Sequence, residues 1–240
     1  MKPLIIVSNS RTGTNFLRSS INNHPHIRCH PELFNLQDKT RKKIHMRFFK
    51  NDKYIEKIQK EVGIEYLEKT IWPEVQENKR YGFKILLDQI TRWDLWEYLE
   101  SIECYYLLLI RNPLVRFVSG LQARETGLWH RLKDEKLQNA PPVKIDLTEL
   151  YSFVSTTILW ESRVIQNFKR LYIVRYKDML NEYDNVMKKV FEFLEVSNYN
   201  NPISDYKKQQ SCSFEKRIKN FEYLKKNLKN EYLYLLNDLF

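Results

Sequence analysis

The stretch Leu4-Ile-Ile-Val-Ser-Asn-Ser-Arg-Thr-Gly-Thr-Asn-Phe-Leu17 decides the fold. A β-branched apolar run leads into a short polar loop and then into a helical pattern. A strand that ends in a loop at a helix N-terminus builds an anion site, because the first-turn amides and the positive end of the helix dipole face whatever sits in front. Gly13 supplies the turn, and Arg11 adds a planar cation suited to phosphate or sulfate. The loop has one glycine and no lysine, so it is not the triphosphate-binding G-x-x-x-x-G-K-[ST] pattern. It suits a smaller anionic group than a magnesium triphosphate.

The pattern outside this stretch extends the reading. Three further apolar runs, Tyr81–Leu87, Cys104–Ile110 and Leu171–Val174, read as strands beside Leu4–Val7. Most lack clean alternation, as in a parallel sheet covered on both faces. Helical patterns lie between them at Asn15–Asn22, Ile44–Leu67 with a break near Gly63, Asp94–Leu99, Leu114–Glu125, Leu147–Phe168 and Tyr183–Leu194. The tail from Phe214 onward also reads as helical. Residues 126–146, with Pro141 and Pro142, read as a loop or lid. Alternating strands and helices predict an α/β fold with a central parallel sheet flanked by helices. No repeat or linker interrupts residues 1–240, so a single domain is expected.

Composition narrows the function. The 240 residues carry 42% hydrophobic and 29% charged side chains, enough for one core. A net charge of +10 implies an anionic substrate or partner. Lys and Arg are dispersed in pairs with no basic arm, so nucleic acid is not the expected partner. Three widely spaced cysteines, Cys29, Cys104 and Cys212, fit a reducing compartment. No apolar run reaches the roughly 18 residues that span a bilayer, and no signal-peptide pattern opens the chain. A cytoplasmic protein is expected; oligomeric state is not readable.

A second anion signal follows the third of these strands, in Arg111-Asn-Pro113-Leu-Val-Arg116-Phe-Val-Ser119. Arg111 stands at a strand's C-terminal end, where open α/β sheets bind ligands. Pro113 suits the first position of the next helix, and Ser119 lies about two turns along it. By itself the segment fits an ordinary strand-end ion pair equally well.

Together the two segments resemble the sulfotransferases that use 3′-phosphoadenosine 5′-phosphosulfate (PAPS). Ser10 to Leu17 is similar to their 5′-phosphosulfate loop, and Arg111 with Ser119 to their 3′-phosphate motif. His24-Pro25, Pro31-Glu32-Leu-Phe34, Gly82-Phe-Lys84, Ser119 to Trp129, Val174 to Asp178 and Lys208 to Asn220 resemble the bacterial carbohydrate branch, which includes Nod-factor and trehalose sulfotransferases. The resemblance implies a P-loop-like fold, PAPS as cofactor and a carbohydrate or glycoconjugate acceptor. It implies that Arg11, Thr12, Gly13, Thr14 and Asn15 hold the 5′-phosphosulfate and that Arg111 and Ser119 hold the 3′-phosphate. Lys208 and Gln209 would close over the nucleotide. Arg11 replaces the lysine common in the family loop, which leaves its help to the leaving group open.

Sulfuryl transfer asks for in-line positioning, positive charge at the leaving group and a base for the acceptor hydroxyl. The scheme needs no metal. Glu32 is the candidate base, at the position where the carbohydrate branch places its glutamate; without that resemblance it reads sooner as the cap of a helix beginning near Leu33. His30 competes, because other branches use histidine. Lys84 is expected at the acceptor or the sulfuryl group, and Gln122, Arg124 and Trp129 at the sugar. His24, His26, Cys29 and His30 do not form a standard zinc pattern and lack a second ligand pair. The rival reading is a nucleotide kinase using ATP and magnesium, against which stand the absent loop lysine and the absent acidic strand end.

Overall fold

The computed structural model describes residues 2–35, 63–74, 80–127, 129, 140–197, 213–237 and 239. Five parallel strands form one sheet: β1 (Leu4–Ser8), β2 (Ile27–Glu32), β3 (Arg80–Leu86), β4 (Tyr105–Ile110) and β5 (Leu171–Arg175), in the order β2-β3-β1-β4-β5. Every residue of β1 is buried. The two-residue period of a strand divides its side chains between two cores. Ile5 and Val7 join Phe83, Ile85, Tyr106 and Leu108 on one face. Leu4 and Ile6 join Leu107, Leu109 and Val174 on the other. Each such aliphatic side chain contributes about 1.5–3 kcal/mol when fully buried. This double burial is why the strands read as continuous apolar runs.

The sheet is flanked by helices, as predicted. The first core is closed by α2 (Leu87–Arg92), α3 (Trp96–Ser101) and part of α5 (Leu147–Asn167). The second is closed by α1 (Thr14–Asn22), α6 (Tyr176–Asn181) and α7 (Tyr183–Phe193). A third cluster packs α4 (Pro113–Thr126) and α5 against Val143, Ile145, Ile218 and α8 (Phe221–Asn227). It brings the C-terminal segment onto the start of α4, where Asn112 donates to the carbonyls of Leu235 and Asn237. Gly82 is required by proximity: a Cβ there would lie 1.7 Å from the Leu4 carbonyl oxygen.

Four strands fall where the sequence placed them, within a residue at either end. The fifth, β2, was not expected. Its residues, Ile-Arg-Cys-His-Pro-Glu, alternate buried and polar side chains at first and contain a proline, because it is an edge strand with one covered face and a register shift between His30 and Glu32. Helix α2 was also missed, being only six residues long and continuous with β3. The expected helix Ile44–Leu67 lies largely outside the described residues; its end is helical from Gly63 and passes into a π-helical turn at Leu67–Ile71. The tail is helical only in pieces: α8 and short 3₁₀ turns at Glu215–Arg217 and Asn230–Leu236.

Candidate active site

The loop after β1 is shaped by two left-handed residues, Arg11 at φ 62° and Gly13 at φ 93°. The first is a strained position for a side chain, of the kind found at ligand clamps. Gly13 is doubly required, since a Cβ there would sit 2.4 Å from the Tyr176 ring. It is also the N-cap of α1 and brings no side chain to the first-turn amides, leaving that end of the helix without a competing cap. Buried Thr12 donates to the Asn9 carbonyl at 2.8 Å and pins the turn. Asn9 in turn donates to Glu161 of α5 at 2.8 Å.

Three arginines converge on this loop. Arg11 Nε donates to Ser119 Oγ at 3.0 Å, and its Nη1 donates to the carbonyl of Trp129. Arg111 Nη1 donates to the Arg11 carbonyl at 3.1 Å, while its guanidinium lies 4.2 Å over the Tyr176 ring. Arg116 Nε donates to the Ser10 carbonyl at 3.0 Å and its Nη1 to Thr157 at 3.2 Å. Burial, with Arg111 as a like-charged neighbour, pushes Arg11 down to about 10. Arg116 is pushed down to about 10 by burial, against the pull of Glu161, and burial lowers Arg111 as well. Arg111 Nε is buried with no hydrogen-bond partner among the described residues. Like charges held together out of water, with a donor left over, are what a bound polyanion would relieve.

A second cluster joins the last residue of β2 to β3 two residues before its end. Lys84 and Glu32 are in register on neighbouring strands and form an ion pair of 2.7 Å with side chains only 4% and 12% exposed. Lys84 Nζ also donates to Asn15 Oδ1 in the first turn of α1, which ties this cluster to the loop. Glu32 Oε2 accepts from Gln89 at 2.9 Å and from Asn35 at 3.2 Å. No helix starts at Leu33, which lies in a turn, so Glu32 is not a helix cap. His30 instead packs on Tyr81, ring centres 4.8 Å apart, on the strand stretch before the register shift.

The other sequence-predicted residues divide. Trp129 is half exposed and stands 5.9 Å from the Arg11 guanidinium. Arg124 is exposed in the last turn of α4. Gln122, expected at the sugar, is instead buried: its Oε1 accepts from Arg217 at 2.8 and 3.1 Å and its Nε2 donates to the Pro141 carbonyl. Its place on the buried face of α4, one turn after Ser119, was the overlooked signal. Lys208 and Gln209 lie outside the described residues. His24 is structural: it accepts from the His26 amide through Nδ1 and contacts the Ser197 carbonyl through Nε2. Asn9, Gln89, Glu161 and the anchoring role of Arg116 were not read from sequence. Arg116 stood in the quoted motif, but its partner Ser10 is 106 residues away.

The loop at the N-terminus of α1, the buried arginines around it and the Glu32–Lys84 ion pair beside it form one candidate anion site on the α/β fold. Residues 1–233 match the family model described as the sulfotransferase domain, and the chain belongs to that family. Among its relatives, nodulation protein H of Rhizobium tropici is 25% identical over 242 residues, covering 94% of this chain and 89% of the relative. Nodulation protein H of Rhizobium meliloti is 26% identical over 206 residues, covering 80% and 77%. The sulfotransferase domain of the Synechococcus PCC 7002 olefin synthase superposes with a TM-score of 0.48 at 16% identity, covering 84% of this chain and 77% of that one.

Proposed function

We propose that this sulfotransferase, acting as a single domain, moves a sulfuryl group from PAPS to a hydroxyl of a carbohydrate or glycoconjugate, with Glu32 as general base. The observation that carries this reading is the buried Glu32–Lys84 pair, joined through Asn15 to the first turn of α1. It sets a proton acceptor and a cation against the anion loop. The arginine cluster supports a donor with two phosphate centres: Arg11 and the start of α1 for the 5′ end, Arg111 and Ser119 for the 3′ end. PAPS supplies a sulfuryl group on a phosphate leaving group. Glu32 takes the acceptor proton, a role worth about 10²–10⁴-fold. Lys84 neutralises charge that develops beside it, and the arginines keep the departing phosphate paired. The motifs shared with the carbohydrate branch, and the similarity to the two nodulation proteins, support a sugar acceptor.

The test needs no acceptor. Calorimetry of 3′,5′-adenosine bisphosphate beside ATP with magnesium is expected to show tight, metal-independent binding of the bisphosphate and much weaker binding of ATP. The reverse result would discard PAPS as donor and return the site to the kinase reading.

A further inference from the structure

Gln89 is buried in the first turn of α2 and no part of the transfer chemistry uses it directly. Its Oε1 accepts the Leu86 amide at 3.1 Å, which closes the N-terminus of α2. That bond fixes the amide. Exchanging its oxygen and nitrogen would set a donor against the Leu86 N–H and an acceptor against a carboxylate. The remaining Nε2 therefore donates to Glu32 Oε2, at 2.9 Å. Because α2 follows β3 without a loop, the strand that carries Lys84 also sets the position of this donor. Glu32 is thus held at both carboxylate oxygens, Oε1 by Lys84 and Oε2 by Gln89 and Asn35.

We infer that Gln89 is a positioning residue for Glu32: its side chain amide orients the carboxylate and favours the ionised form that accepts the proton. The inference rests on Glu32 being the base. Lys84 from β3 and Asp88 from α2 are titratable groups that face Glu32. Asp88 is raised by burial first and also by the charge of Glu32. A donor to a carboxylate stabilises its charged form, so removing Gln89 raises the pH at which Glu32 loses its proton.

The experiment follows the Glu32 carboxyl by ¹³C NMR in glutamate-labelled protein, with Glu32→Gln identifying its signal. In Gln89→Met the Glu32 midpoint is expected to move up by about half a pH unit or more. Gln89→Glu keeps the acceptor for Leu86 and covers the case where the methionine variant fails to fold. In it the two carboxyls should titrate in two steps, the upper above the wild-type midpoint. The second readout is sulfate release from PAPS, with water as the acceptor. There Gln89→Met should lower kcat about tenfold with KM for PAPS unchanged, and shift the acid limb upward with the NMR midpoint. An unmoved, unsplit Glu32 titration overturns the inference and leaves the base assignment standing. A shifted titration in a protein whose Glu32→Gln variant still releases sulfate overturns the base assignment, and the positioning role with it.

Discussion

The two clusters at the strand ends are built in opposite ways. Around β1 and α4, three guanidiniums are lowered chiefly by burial, with Arg111 adding like charge beside Arg11 and Arg116, and Arg111 keeps a buried donor without a partner among the described residues. Around β2 and β3, one cation meets one anion at 2.7 Å, and both oxygens of Glu32 are taken by donors. The first arrangement is costly until an anion arrives; the second is satisfied as it stands. A site that binds a polyanion needs unspent positive charge, whereas a site that moves a proton needs a group held in one place. On the proposed function, the difference places binding with the arginines and chemistry with the ion pair.

The largest expected effect breaks the second cluster alone. Glu32→Gln keeps the shape and removes the proton acceptor. Sulfuryl transfer should fall by about 10²–10⁴-fold. Affinity for 3′,5′-adenosine bisphosphate should stay within about twofold, since no donor in the arginine cluster is touched. Rates beside calorimetry check both halves. Substantial residual transfer would move the base to His30 or elsewhere.

Arg111→Ala breaks the first cluster alone. Losing charge-assisted bonds of about 1.5–3 kcal/mol should weaken the bisphosphate by roughly 10–100-fold. Adenosine 5′-phosphosulfate, which lacks the 3′-phosphate, should lose much less. Equal losses for the two nucleotides would show that Arg111 serves the 5′ end and that the two-phosphate division of the loop is wrong.

How far the two clusters were legible follows from the range of their contacts. The loop and Arg111 follow apolar strands and Ser119 lies about two turns beyond one, and local pattern marks such ends; Lys84, inside β3, was singled out through resemblance. Glu32 was singled out through resemblance, not through its strand: β2 carries a proline and alternating polar residues, so nothing local distinguished it from a loop. Gln89 and Glu161 were invisible. Both act through partners brought close by the sheet order, 57 residues away for Gln89 and 152 for Glu161. Gln122 was misplaced because a planar polar side chain near the site invited a sugar, although its helical phase already pointed inward.

The smallest effect tests whether the arginine cluster is as under-compensated as its geometry implies. Glu161 faces Arg116 at 3.8 Å and accepts from Asn9. Burial still raises its carboxyl above the ordinary value, outweighing both partners. A carboxyl raised in the folded state binds more protons there than in the unfolded chain. Its contribution to stability is therefore fully present below the unfolded value, about 4.3, and is lost as the pH rises through the folded one. Glu161→Gln cannot titrate and should lack this decline. Urea midpoints from pH 4 to 7 should fall more for the wild type than for the variant, every other titration cancelling in the difference. If the wild type instead gains on the variant as the pH rises, the Arg116–Glu161 attraction outweighs burial. The arginine cluster would then hold its own counter-charge, and its contrast with the Glu32–Lys84 pair would narrow to Arg11 and Arg111.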